Sequence, residues 1–129
     1  MERIITKNPN KENDLQTRIY KWVVDLINLI KSLQRNITTD VIVKQIVRSS
    51  SSVGANYIES QAASSRKDFI NFFHHALKSA NESKFWLCLI RDTCNSDKVI
   101  TEKLLKEIIE ISNILGASIK TAKLHEQAK

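Results

Sequence analysis

Two glycines and a single proline in 129 residues leave little material for tight turns. A β-sandwich or a doubly wound nucleotide-binding sheet needs far more of both, so those architectures are excluded. Cysteine is scarce as well. Cys88 and Cys94 stand six apart with no CxxC pattern and no nearby histidine, which excludes a zinc knuckle and predicts two free thiols. No run approaches the ~20 apolar residues of a membrane span. The opening MERIITKNPNKEND lacks the apolar stretch of a secretory signal. Together these absences predict a cytoplasmic protein with no membrane association. No basic tail or block of like charge appears either. Residues 1–64 carry nine Lys/Arg and six Asp/Glu, and residues 65–129 carry eleven and eight, so each half is +3. The resulting net charge of +6 is compatible with an anionic partner or with ordinary solubility, and composition leaves both open.

What is present is helical periodicity, backed by 42% hydrophobic content in a chain sized for one domain. Residues 1–13 read as a flexible lead-in, and residues 14–125 as the domain. Leu15, Ile19, Trp22, Val23, Leu26, Ile30 and Leu33 recur at helical spacing. A second row, Tyr20, Val24 and Ile27, widens the apolar arc to roughly 220°, whereas one buried side needs little over ~100°. The first helix therefore is expected to bury two sides, one of them against another subunit. After a turn at 36–39, with Thr38 or Thr39 as the expected N-cap, a second helix runs to about Gln61. Its middle, Ser49 to Ala55, is rich in small residues. Apolar periodicity continues across it, so it reads as a close helix approach rather than a linker.

Ser65 and Asp68 form a Ser-x-x-Asp capping signal that opens a third helix. Its expected core face is Phe69, Phe72, Phe73, Ala76, Leu77, Ala80, Leu87 and Ile90. Phe85 and Leu89 project elsewhere, a second hint of a subunit interface. A polar turn over 92–98 leads to a fourth helix bearing Leu104, Leu105, Ile108, Ile111, Leu115, Ile119 and Ala122. Four helices of ~20–25 residues, about 30–38 Å each, with short connections predict an all-α, antiparallel up-down-up-down four-helix bundle.

Catalytic and metal-binding patterns are missing. There is no phosphate loop and no HExxH. Bundle metal sites use Glu-x-x-His, but here Phe85 follows Glu82 and Ala62 follows Glu59. Adjacent His74 and His75 diverge by ~100° on a helix and cannot chelate one ion together. No arginine precedes a histidine by four to six positions. The nearest approach, Arg66 to His74, is eight, which argues against a helical RNase. Neither an enzyme nor a cofactor or metal is expected. One polar set stands out: Arg48, Ser52, Asn56 and Glu59 form a continuous row on the second helix, with Ser79 and Glu82 on the third. It reads either as an exposed face with weak i,i+4 pairs or as a polar seam fixing helix register or subunit contact.

The stretch QIVRSSSSVGANYIESQAASSRKDFINFFHHALKSANESKFWLCLIRD, residues 45–92, carries a resemblance. Arg48, Ser52-Val53, Asn56 with Glu59, Asp68-Phe69, and Ala76, Ser79 and Glu82 match a motif set spread over two helices. In these positions the chain closely resembles the four-helix bundle proteins encoded in intervening sequences of bacterial large-subunit ribosomal RNA genes. The similarity spans roughly residues 14–124. Ser60 and Lys78 stand where many relatives carry glycine, departures that touch local packing. The resemblance implies a homopentamer and no enzyme. It also implies a link to the accessory protein of diversity-generating retroelements, a basic pentameric barrel that works with a reverse transcriptase and RNA. Five copies at +6 would total +30, a field that attracts RNA or DNA. The expected phosphate contacts are Arg18, Lys21, Lys44, Arg66, Lys67, Lys120 and Lys123. With few exposed aromatics and no base-reading motif, recognition is expected to ignore sequence. The alternative is a scaffold that docks a partner protein without touching nucleic acid.

Overall fold

The computed structural model describes residues 14–127, and the lead-in expected over residues 1–13 lies outside them. Among the described residues there are four helices and no strand: α1 (Leu15–Lys31), α2 (Ile37–Gln61), α3 (Arg66–Thr93) and α4 (Lys98–Gln127). Helix α1 packs on α2 and α4, α2 on α3, and α3 on α4, which closes a four-helix bundle. No helix among the described residues is long and apolar enough to cross a membrane.

Local chemistry sets the ends. Asp14 caps α1, its side chain accepting from the Gln16 amide at 3.0 Å. Ser65 caps α3 and accepts from the Asp68 amide at 3.1 Å, as the Ser-x-x-Asp signal predicts. The cap of α2 differs from the expectation. Asn36, in extended backbone, accepts from the Thr39 amide at 2.9 Å, and Thr39 is buried inside the first turn. Asparagine is as good a cap as threonine, and starting the helix at Ile37 turns Thr39 inward.

The core is the apolar stripe of each helix. Ile19, Trp22 and Leu26 meet Ile46 and Val53, Phe73, Ala76, Ala80, Leu87 and Ile90, and Ile108, Ile111 and Leu115. Each large side chain so buried stabilises by about 1.5–3 kcal/mol. Trp22 is 1% exposed, and its indole N–H donates to the Leu104 carbonyl at 3.0 Å, so its one polar atom is satisfied. Leu29 and Ile70 are also buried, whereas Phe72 and Leu77, expected in the core, are half-buried on its flanks.

The small-residue stretch of α2 lies against α3 through Ser49 and Ser52 and against Ile19 of α1 through Gly54. Ser49, Ser50 and Ser83 are all buried. The Ser83 hydroxyl lies 2.8 Å from Ser49 Oγ and 2.8 Å from the Ser79 carbonyl. Hydroxyls that pair with each other or with backbone let two helices touch without stranding a donor. Ser83→Leu would force three extra carbons into that contact. It is expected to cost about 1–3 kcal/mol, read as a lower urea midpoint at unchanged slope.

The helices are less equal than periodicity suggested. Helix α1 has 17 residues and α4 has 30, about 26 and 45 Å. Helix α1 stops at Lys31, with Ser32 turning back to the Leu29 carbonyl, although the apolar stripe continues to Leu33.

Candidate nucleic-acid interface and the polar seam

Three of the seven cations expected to meet phosphate are placed apart or engaged. Arg18 lies mostly covered between α1 and α4. Its guanidinium donates to Glu107 Oε2 at 3.0 Å and Oε1 at 2.7 Å, and reaches Glu110 at 3.1 Å. The hydrogen bonds to Glu107 raise its pKa above the ordinary arginine value, so this charge is neutralised inside the bundle. Lys21 is exposed but pairs with Asp25 one turn on, at 3.3 Å. Lys44 is exposed near the start of α2, at the other end of that helix from its connection to α3.

The remaining four gather at one end of the bundle. Arg66 and Lys67 open α3, while Lys120 and Lys123 lie near the end of α4. Arg66 lines one cleft with Thr121, Ala122 and His125, which puts the two helix ends side by side. All four are exposed and none has an ion-pair partner among the described residues. Arg66 and Lys67 sit at the positive end of the α3 macrodipole, where a cation is disfavoured by a few tenths of a kcal/mol. Helix stability therefore does not account for them. Lys120 and Lys123, at a negative end, serve the helix as well.

Five polar residues of the motif set, Arg48, Ser52, Asn56, Ser79 and Glu82, lie elsewhere, along the contact of α2 with α3. Arg48 donates to Glu82 Oε2 at 2.6 Å, and the Trp86 indole N–H reaches the same oxygen at 3.0 Å. About one turn back along α3 from Glu82, Ser79 Oγ donates to Ser52 Oγ at 2.9 Å, and Asn56 Nδ2 donates to the Ser52 carbonyl and hydroxyl at 2.9 and 3.0 Å. Residues 48, 49 and 52 of α2 thus face 82, 83 and 79 of α3. These bonds edge a groove of about 460 Å³ with Phe72, His75 and Lys78 on its α3 side. Glu59 stands apart, exposed near the end of α2 and outside this groove. It shares the sequence spacing of the row, but α3 offers it no partner there.

Residues 11–117 match the model of the 23S rRNA-intervening sequence protein family. The chain belongs to that family. It is also similar to a protein of unknown function from the S23 ribosomal protein family of Bacteroides thetaiotaomicron VPI-5482, known from a 1.70 Å crystal structure. The two are 34% identical, with a TM-score of 0.72 over 82% of this chain and 98% of that one. No curated protein matches the chain.

In this intervening-sequence family member the seam couples α2 to α3. Removing Glu82 strips Arg48 and Trp86 of their shared acceptor. Both partners of the ion pair are more than a third exposed, so it contributes at most a few tenths of a kcal/mol, and the half-buried indole bond contributes more. Glu82→Ala is expected to cost about 1 kcal/mol, seen as a melting point lower by roughly 4 °C. An unchanged melting point would reduce the seam to an exposed face. Among the described residues no group of three His, Cys, Asp or Glu side chains converges. Cys88 and Cys94 are unpaired.

Proposed function

We propose that this protein, an antiparallel up-down-up-down bundle, closes with copies of itself into a homopentameric ring and holds RNA or other nucleic acid without catalysis. In this reading it works in the bacterial cytoplasm and needs no cofactor. The observation that carries it is the set of four cations, Arg66, Lys67, Lys120 and Lys123, that have no ion-pair partner among the described residues and lie at one end of the bundle. One subunit presents a weak patch there. A ring repeats the patch around its axis and brings the total formal charge to about +30. Such a field attracts phosphate backbones and reads no bases.

Two apolar flanks support the ring. On one, Val24 of α1 is 39% exposed, with half-buried Ile27 one turn on, and Val47 of α2 is 38% exposed. On the other, Phe85 is 58% exposed on the outer side of α3, with half-buried Leu89 one turn on. Different patches on different sides suit a heterologous contact that closes on itself, rather than a two-fold dimer. Light scattering should give about 74 kDa, against 14.8 kDa for one chain. A monodisperse monomer at micromolar concentration would overturn the ring.

A second reading, a scaffold that docks a partner protein such as a reverse transcriptase, is favoured by one feature. The groove between the end of α3 and the start of α4, about 730 Å³, is lined by Val99, Leu105 and Ile109 together with Arg91, Lys98, Glu102, Lys103 and Lys106. Absence of binding to structured RNA even at low salt would select this reading.

A further inference from the structure

Arg66, one of the four end cations, also lines a cleft of about 480 Å³ between the start of α3 and the later turns of α4. Phe69 joins it from α3, and Ile114, Ser118, Thr121 and His125 are among the α4 residues on the other side. No lining residue is acidic.

The lining combines two chemistries. Phe69 is half-buried and stacks on buried Phe73, with ring centroids 4.4 Å apart and planes 29° apart. Tyr57 meets Phe73 in turn at 5.6 Å, so the row is anchored in the bundle. The ring surface that Phe69 gives the cleft is the part that Phe73 leaves uncovered. A nucleobase stacked on such a ring gains roughly 5- to 140-fold in affinity. Arg66 stands three residues before Phe69 and is therefore its neighbour on the helix surface. The side chains of Arg66, Ser118, Thr121 and His125 make no hydrogen bond or ion pair among the described residues. Elsewhere on α4 the hydroxyls of Thr101 and Ser112 turn back to the Asp97 and Ile108 carbonyls. The cleft thus sets a flat apolar surface beside a cation and polar groups whose bonding capacity is unspent. One nucleotide has the complementary pair of features, an apolar face on its base and a negative phosphate. A base inside a continuous duplex cannot use the site, because its faces are covered by its neighbours in the stack.

We propose that this cleft takes one unpaired nucleotide of an RNA strand per subunit, its base against Phe69 and its phosphate on Arg66. The protein then favours bulged or single-stranded RNA over uninterrupted duplex. The inference rests on the reading that the Arg66 end holds nucleic acid, and adds to it the state of the strand that is held. It brings no sequence preference, since every base has a face to stack.

The test compares two RNA hairpins by fluorescence anisotropy at low salt. One carries a single bulged adenosine, and the other is identical except for an abasic nucleotide at the bulge. Both have the same phosphates, so charge alone binds them equally. The native protein is expected to hold the adenosine hairpin at least about fivefold more tightly. In NMR spectra the Phe69 ring signals should shift further with that hairpin than with the abasic one. Phe69→Leu, which keeps an apolar side chain but no flat face, should remove the difference in affinity. Equal affinity of the native protein for the two hairpins, equal Phe69 shifts with both, or a difference that survives in Phe69→Leu would overturn the inference and leave the charge reading standing. Binding of neither hairpin would overturn both.

Discussion

Raising monovalent salt from about 50 to about 200 mM is expected to weaken binding to structured RNA by a factor of roughly 10³ or more. The size follows from counterion release. A ring that neutralises about six phosphates gives log K falling against log salt with a slope near −5. Six phosphates is a modest demand when Arg66, Lys67, Lys120 and Lys123 each lack an ion-pair partner among the described residues and would repeat with every subunit of the proposed ring. Arg18 is expected to add nothing to the slope, because Glu107 and Glu110 already hold it. Arg66→Gln with Lys67→Gln should flatten the slope and weaken all RNAs about equally, while Arg18→Gln should change stability and leave the slope alone. A shallow slope near zero would mean that charge is not what holds the RNA.

Phe85→Asp is expected to collapse the assembly from about 74 kDa to the 14.8 kDa chain, measured by light scattering at micromolar concentration. Phe85 points off the bundle. Its ring meets Trp86 edge-on at 5.0 Å and otherwise faces outward. Removing it therefore costs the monomer little, and its circular dichroism should be unchanged. In a closed interface the new carboxylate would be desolvated with no cation built to receive it, a penalty of several kcal/mol repeated at every contact. Unchanged mass would take Phe85 out of the interface and return it to the ordinary stock of exposed apolar side chains.

The four helices were legible because each carries an apolar stripe with the helical period, and because Ser65 with Asp68 announces a start in local sequence. The serine stretch was legible for a similar reason: small residues inside an unbroken period imply a close neighbour, and here α3 meets Ser49 and Ser52 while Ile19 of α1 meets Gly54. What the sequence did not disclose depends on how helices rotate and slide against each other. Arg18 and Glu107 are 89 positions apart, and nothing local says that they meet. Glu59 has the same spacing as Asn56 and Arg48, yet the seam leaves it in solvent. The early end of α1 is hidden in the sequence because Leu33 continues the stripe beyond the point where Ser32 ends the helix. The clustering of Arg66 and Lys67 with Lys120 and Lys123 follows from the two helix ends meeting, which composition alone, at +3 in each half, conceals.

The most direct measurement compares RNA affinity before and after disassembly, at one low salt concentration, for the native protein and for Phe85→Asp. The variant keeps every cation of the native chain and adds a single negative charge remote from the Arg66 end. If the ring gathers the charge that binds, the native protein holds structured RNA tightly and the monomeric variant loses at least about 10²-fold in affinity. Equal affinity of ring and monomer, or no binding by either, would contradict it.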